Sequence, residues 1–536
     1  MRLTAALVLA IASGSCMRAT ATAEGAPVSA AVAGPPKLIV FITVDQLRGD
    51  MLDRYRGDMR HGFARLMQGA WFTRGFHDHA ITETAPGHAS TMSGRFPRST
   101  GIMSNSAGVL DPNVRLVGSG GPSDPGASPS RFAGTTLFDW MHAKDRRSRA
   151  LSVSRKDRAA ILPIGRAKQE VYWYASSGRF ITSTWYRDTL PEWVRAFNAR
   201  RMPQSYAGKA WTLLRPESAY PEPDSVPFEN AGRNFVFPYP FGDDSARAAA
   251  VIANTPMHDE VTAHFALEGL ERLGLGRGPQ TDLLAVSFSA TDAVGHTWGP
   301  DSREAHDNQI RLDVTLGWFL DSLYKLRDPG SVIVALTGDH GVQPIPRLAR
   351  QRGEATSNEG IIVSLSSQVS AVRAALAARG VDSLAFDFDY QLVSLDRGAL
   401  AGKGLKPDSI LDAFAAAVRQ VPGVGRVDRM RDIRRADFAM DPVARRWAHQ
   451  VAESAPVDLV ITLTRYSYWY NATATHGSPY DLDAHVPIIF LGPWVTPGRY
   501  DAFTRVVDMG PTLAAIAEVR PLERLDGVVL RSALRR

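Results

Sequence analysis

The sequence predicts an α/β protein with a doubly wound, mostly parallel central sheet, helices on both faces, and insertions that include a small α+β cap. Three observations carry this expectation. The runs Leu38 to Val44, Leu283 to Ser289 and Ser331 to Leu336 are continuously apolar or β-branched rather than alternating. Such runs mark strands buried on both faces of a parallel sheet. Segments of helical period separate them, so strands and helices alternate along the chain. Each run also leads to an aspartate, namely Asp45, Asp292 and Asp339. Open α/β sheets bind their ligands beyond the carboxyl ends of such strands.

Taken in order, the chain opens with Arg2, an apolar stretch from Leu3 to Ile11, and the small-residue pattern Ala21-Thr22-Ala23. This is the layout of a cleavable export signal over 1–23, too short to span a bilayer. Cys16 is the only cysteine. Cleavage after Ala23 leaves a mature chain without disulfides or thiolate chemistry. Lipidation of Cys16 is the alternative, although Ser13-Gly14-Ser15 lacks the aliphatic residue usual three positions before such a cysteine. No later segment reads as transmembrane. The expected location is periplasmic or secreted.

After an Ala/Gly/Pro-rich leader, the first strand ends at Asp45. A helix at 62–67 leads to Thr82-Glu83-Thr84-Ala85-Pro86-Gly87-His88, a turn that precedes a helix beginning near His88. A side-chain oxygen at such a turn lies beside the free N–H groups of a helix start, which favour anions. The stretch 117–130 is Gly/Ser/Pro-rich and reads as a mobile loop. A helix at 136–143 and a strand at 149–154 follow, the strand ending at Lys156-Asp157-Arg158. Residues 172–250, rich in Trp, Tyr and Pro at first, read as an insertion covering one end of the sheet. Helices are expected at 260–273 and again after His296, where Ile310, Val314, Leu316, Phe319, Leu320 and Leu323 form one apolar side. Residues 351–450 read as an α+β insertion with strands at 361–365 and 390–395 and helices at 369–378 and 410–421. The main sheet is then expected to resume at 457–463 and continue at 486–491. The catalytic domain thus covers 37–350 and 451–530.

With 536 residues, 44% of them hydrophobic, the chain can bury a large core. Lys and Arg number 61 against 55 Asp and Glu, a net charge of +6 with no long basic run. Nucleic-acid binders concentrate their basic residues, so no nucleic-acid partner is expected.

The chemistry lies in Asp45, Thr84, Asp292 with His296, Asp339 with His340, and His476. Carboxylates and imidazoles without thiolates suit catalytic zinc, with manganese and iron as alternatives. These side chains suffice for two metals. Two metals roughly 3.5–4 Å apart stabilise both the attacking and the leaving oxygen of an in-line displacement. Metal coordination also activates a threonine hydroxyl, which is a poor nucleophile alone.

These motifs resemble the alkaline phosphatase superfamily, specifically the PafA-type bacterial alkaline phosphatases, which are close to nucleotide pyrophosphatase/phosphodiesterases. The matching segments are Val44 to Asp50, Thr82 to His88, Lys156 to Arg158, Asp292 to His296, Gly338 to Gly341, Thr475 to Tyr480 and Val507 to Thr512. The resemblance implies two zinc ions, one on Asp292, His296 and His476, the other on Asp45, Asp339, His340 and Thr84. It implies that Thr84 becomes a phosphothreonine, and that Asn105, Lys156 and Arg158 face the non-bridging phosphoryl oxygens. Lys offers a point charge and Arg a forked donor, which together favour a monoester dianion over a diester. His88 reads as a structural histidine. Tyr466, Tyr468, Trp469 and Tyr470 either line the mouth near His476 or pack inside.

The expected activity is broad zinc-dependent hydrolysis of small phosphate monoesters by a monomer, serving phosphate scavenging. The competing readings are a phosphodiesterase or phosphonate hydrolase on the same scaffold, and a non-catalytic phosphate-binding protein. A sulfatase would need a Cys or Ser converted to formylglycine, which Thr84 cannot supply. Phosphoglycerate mutase relatives normally use serine and are cytosolic.

Overall fold

The computed structural model describes residues 34–106, 108–119 and 125–535. The export segment 1–23 and Cys16 lie outside the described residues. No helix among the described residues is long and apolar enough to cross a membrane.

Among the described residues the central sheet has twelve strands, five of which form a parallel middle. In spatial order these are Val332–Gly338, Leu38–Val44, Asp282–Phe288, Ala150–Ser154 and Glu170–Ala175. Strand His485–Leu491 runs antiparallel beside Val332–Gly338, and Arg179–Ser183 runs antiparallel beside Glu170–Ala175. The sheet is therefore parallel at its centre and mixed at its flanks.

The continuous apolar runs serve two cores at once, because successive side chains leave a strand on opposite faces. Leu38, Val40, Ile42 and Val44 join one core, whereas Ile39 and Phe41 join the other. Helices Met257–Arg272 and Arg303–Leu326 contribute to the first core through residues such as Phe265 and Leu316. Helices Thr84–Ser93, Leu137–Lys144 and Met509–Ile516 contribute to the second through Ala89, Phe138 and Leu513. This is the doubly wound arrangement expected from the sequence.

Several local expectations are corrected. Strand Leu459–Leu463 belongs to a separate four-stranded sheet with Phe386–Asp389, Leu392–Leu395 and Val424–Arg429, not to the main sheet. It is apolar because Leu459, Ile461 and Leu463 enter the small sheet's core while Val460 packs against another cluster. Residues 361–365 form no strand, only an isolated bridge between Ile362 and Tyr468. At the start of the expected 172–250 insertion, Glu170–Ala175 and Arg179–Ser183 are main-sheet strands whose aromatic residues Tyr172, Trp173 and Phe180 fill both cores. Pro125–Ala127, within the expected mobile loop, pairs with Leu110–Val117. Val314 is 41% exposed rather than part of the buried helix face.

Candidate active site

Strand register brings the aspartates together. Val44 is level with Phe288 on one side and with Gly338 on the other. Asp45 and Asp339, each the next residue, therefore emerge at one height from neighbouring strands. Asp292 lies a turn further on, near the start of helix Ala290–Trp298. His296 follows at i+4, which places it on the same helix face. Its Nε2 is 3.2 Å from Asp292 Oδ1.

Thr84 is the first residue of helix Thr84–Ser93, so this helix starts four residues earlier than the sequence suggested. Pro86 is tolerated because first-turn N–H groups have no intrahelical partner to lose. Gly87 permits close packing: a Cβ there would fall 2.1 Å from the Asp339 carbonyl oxygen. The helix start thus sits directly on the Asp339 backbone.

The three histidines are held in a common way. The Nδ1 atoms of His296, His340 and His476 lie 2.8, 2.9 and 2.7 Å from the carbonyls of Ala474, Gly341 and Thr82. A carbonyl accepts, so each Nδ1 carries a proton and each Nε2 is the ring nitrogen left to meet the carboxylates. Two groups of ligand atoms, each within 4.8 Å of one another, result: Asp45, Asp339 and His340, and Asp292, His340 and His476. His340 is common to both groups, and His296 joins the second through its contact with Asp292.

These atoms fit metal ions. Both carboxylate oxygens of Asp45, Asp339 Oδ2 and His340 Nε2 are buried without a hydrogen-bond partner. Burial, reinforced by the charges of Asp292 and Asp339, pushes the Asp45 carboxyl well above its ordinary range. Burial likewise holds His340 neutral, its pKa well below the usual imidazole value. Burial also works against the charged form of Asp292, but Lys156, His296 and His476 outweigh it and hold the carboxyl ionised. Converging carboxylates and imidazoles, with open acceptor positions on Asp45, Asp339 and His340, are what a divalent cation requires.

Lys156 reaches this centre. Its Nζ lies 2.6 Å from Asp45 Oδ2, 2.7 Å from Asp292 Oδ2 and 3.3 Å from Thr84 Oγ1. The Asp45 contact is an ion pair without hydrogen-bond alignment. Asn105 sits against the same turn: its Oδ1 accepts from the Ala85 N–H at 2.9 Å, and its own N–H donates to Glu83 Oε2. Arg158, on helix Asp157–Ile161, makes no hydrogen bond to the cluster among the described residues. Its Nη1 lies 3.7 Å from Asp157 Oδ1, and its Nε is buried without a partner.

His88 does support the turn, with Nδ1 3.0 Å from the Thr84 carbonyl and Nε2 3.1 Å from Ser287 Oγ. It also approaches Asp339 Oδ2 at 3.2 Å. Gln46 escaped the sequence reading. Its backbone N–H donates to Asp339 Oδ1 and its side-chain amide to Asp292 Oδ1, both at 3.0 Å, so one residue joins the two ligand groups. It adopts φ +67°, a left-handed backbone rare for a residue with a side chain. Gly295 makes room for it, since a Cβ there would meet Gln46 Oε1 at 1.8 Å. The available signal was the adjacency of Gln46 to Asp45 together with the glycine inside Asp292-Ala-Val-Gly-His296.

Comparisons with known proteins agree with this geometry. The family model described as type I phosphodiesterase / nucleotide pyrophosphatase matches residues 39–396. The alkaline phosphatase PhoV of Synechococcus elongatus is 30% identical, over 93% of each chain. The alkaline phosphatase PafA of Elizabethkingia meningoseptica is 29% identical over 90% of this chain and 92% of its own. A crystal structure of wild-type alkaline phosphatase PafA superimposes with a TM-score of 0.86 at 27% identity, covering 94% of this chain and all of that one. Murine ectonucleotide pyrophosphatase/phosphodiesterase 5 shares the fold, with a TM-score of 0.50 at 14% identity over 94% of this chain and all of its own. The chain belongs to the type I phosphodiesterase / nucleotide pyrophosphatase family and, within the alkaline phosphatase superfamily, to the PafA-type bacterial alkaline phosphatases.

Proposed function

We propose that this protein hydrolyses small phosphate monoesters of broad structure through a phosphothreonine on Thr84, as a zinc-dependent monomer exported to the periplasm or secreted. The observation that carries the reading is the position of Lys156. Its ammonium group is 3.3 Å from Thr84 Oγ1, so a fixed positive charge stands beside the nucleophile. A monoester dianion carries a charge on an oxygen that a diester would substitute. A lysine at that place rewards the monoester, and the second substituent of a diester would lie against it.

Asp45, Asp339, His340 and Thr84 would hold one ion, and Asp292, His296 and His476 the other. The carboxylate and imidazole set suits zinc, whose bound charge would lower the acidity barrier of the hydroxyl and of water. Thr84 Oγ1 attacks phosphorus in line with the departing alcohol. Thr84 loses its hydroxyl proton as the bond from Oγ1 to phosphorus forms, and the bond from phosphorus to the ester oxygen breaks, that oxygen taking a proton from water to leave as the alcohol. Asn105, Lys156 and Arg158 hold the non-bridging oxygens, with Asn105 itself fixed by Ala85 and Glu83. Water then attacks phosphorus, the bond to Thr84 breaks, and phosphate leaves.

Phosphodiester hydrolysis on the same scaffold is the competing activity, favoured by the match of residues 39–396 to the type I phosphodiesterase / nucleotide pyrophosphatase model. The test is kcat/KM for an aryl phosphate monoester and its matching diester, on protein of known metal content. About two zinc ions per chain and a strong monoester preference are expected. Replacing Lys156 and Arg158 by Ala should lower the monoester value about 100-fold more than the diester value. A wild-type preference for the diester, unaltered in that double variant, would overturn the assignment.

A further inference from the structure

The aromatic cluster that the sequence left open divides in the structure. Tyr466 and Tyr468 are buried, at 8% and 2% exposure, and serve packing. Tyr470 is 51% exposed, and with Trp469 it faces a cavity of about 240 Å³. The same cavity is lined by Asn105 and Glu83, which flank the Thr84 turn, and by His476 of the metal-ligand cluster. The space therefore opens on the reacting centre.

Its outer wall comes from the small sheet. Strands Phe386–Asp389 and Leu392–Leu395 form a hairpin closed by Tyr390 and Gln391. Tyr390 adopts φ +48°, a hairpin position where Gly or Asn is usual, yet a large aromatic side chain stands there 52% exposed. Strain of this kind persists where the surroundings impose it, and it clusters at ligand sites. The surroundings do impose it. Gln391 Nε2 donates to the Gly477 carbonyl at 3.0 Å, beside His476, and Ser106 Oγ approaches Asp389 Oδ2 at 3.4 Å, beside Asn105. The hairpin is thus tied to both loops of the reacting centre. Tyr470 is fixed by its hydroxyl contact with Thr475 Oγ1 at 2.9 Å. The Tyr390 and Trp469 rings lie 6.2 Å apart at 58°, and Phe388 supports Trp469 edge-on at 6.5 Å.

We propose that Tyr390, Trp469 and Tyr470 form a subsite for the leaving alcohol of the phosphate ester, selecting planar, uncharged aromatic groups. This rests on the monoesterase reading above and adds a substrate class to it. Aromatic rings stack on one another with useful energy and little sequence or substituent demand. Among the described residues no Lys or Arg lines the cavity, whereas Glu83 and Asp389 do. A leaving group with its own negative charge would meet these carboxylates unpaired.

Binding of non-hydrolysable ligands to the metal-loaded protein tests this without depending on turnover. Calorimetric Kd values are compared for phenylphosphonate, methylphosphonate and 4-carboxyphenylphosphonate. Phenylphosphonate should bind about tenfold more tightly than methylphosphonate, and the carboxylated ligand more weakly than the phenyl one. Tyr390→Ala and Trp469→Leu should each shrink the phenyl-to-methyl gap. Tyr390 is half exposed, so its replacement does not threaten the core. Equal Kd values in the wild type, or a gap that persists in both variants, would overturn the subsite. Failure of the monoesterase reading would show separately, as absent ester turnover beside an intact phenyl-to-methyl gap.

Discussion

Two groups of buried carboxylates in this protein differ in what their unpartnered oxygens face. At the sheet edge, Asp45 and Asp339 are fully buried, and their free oxygens converge with the open Nε2 of His340. Elsewhere Glu229 and Glu304 are also buried, at 2% and 0% exposure, each with one oxygen unpartnered. Glu304 accepts a hydrogen bond from the Tyr239 hydroxyl. Burial, with Glu304 and Asp224 nearby, pushes Glu229 up to about 9, and burial pushes Glu304 up to about 7. Around neutral pH this second group answers burial with a proton on Glu229. Among the described residues it is not one of the groups whose His, Asp and Glu ligand atoms lie within 4.8 Å of one another. Burial of acids is common to both groups; convergence with imidazoles is what makes one of them a candidate metal centre.

The largest expected effect separates the chemistry from the cation site. Thr84→Ala keeps every carboxylate and imidazole of the cluster, so elemental analysis should still find the metals. Monoester kcat should fall by at least about 10³-fold, as when a nucleophile is removed. Near-normal turnover in that variant would show that Thr84 is not the nucleophile.

A smaller effect is expected at Gln46, which ties the two ligand groups together. Gln46→Leu fits beside Gly295 but loses the amide hydrogen bond to Asp292. Metal affinity, read by competition with a chelator, should weaken by about 10–100-fold, the usual consequence of removing a partner that orients a ligand. Unchanged affinity would mean that the register of the strands alone orients Asp292.

The smallest effect belongs to the protonated group. The folded pKa of Glu229, about 9, exceeds its ordinary value, so the folded state retains a proton that the unfolded chain loses. Stability contributed by this residue is therefore full below the ordinary glutamate range and declines as pH rises towards about 9. Glu229→Gln should match wild-type Tm near pH 5 and exceed it by a few degrees at pH 9. The difference should be the same with and without a chelator. A chelator-dependent difference would link the two groups and break the contrast drawn here.

Much of the cluster was legible in the sequence because its members follow apolar runs or sit in short motifs. Asp45 and Asp339 directly follow strands that are buried on both faces, and His296 follows Asp292 at helical spacing. Gln46 was not legible, because its importance lies in a positive φ and in contacts 246 and 293 residues away. The strand at 459–463 was misplaced for a related reason. A run buried on both sides reads the same whichever sheet it enters, and its hydrogen-bond partners at 392–393 and 424–429 carry no label in the chain.

The sequence by itself determined the doubly wound class and the residue types of the cation site. These depend on local periodicity and on side-chain chemistry, which a chain carries in its order of residues. Only the tertiary structure decided that His340 is common to both ligand groups, that Lys156 stands between Asp45, Asp292 and Thr84, and that the Tyr390 hairpin reaches the same opening. Those outcomes depend on strand register and on close approaches such as Gly87 to Asp339, where distant segments are fixed by packing rather than by their own preferences.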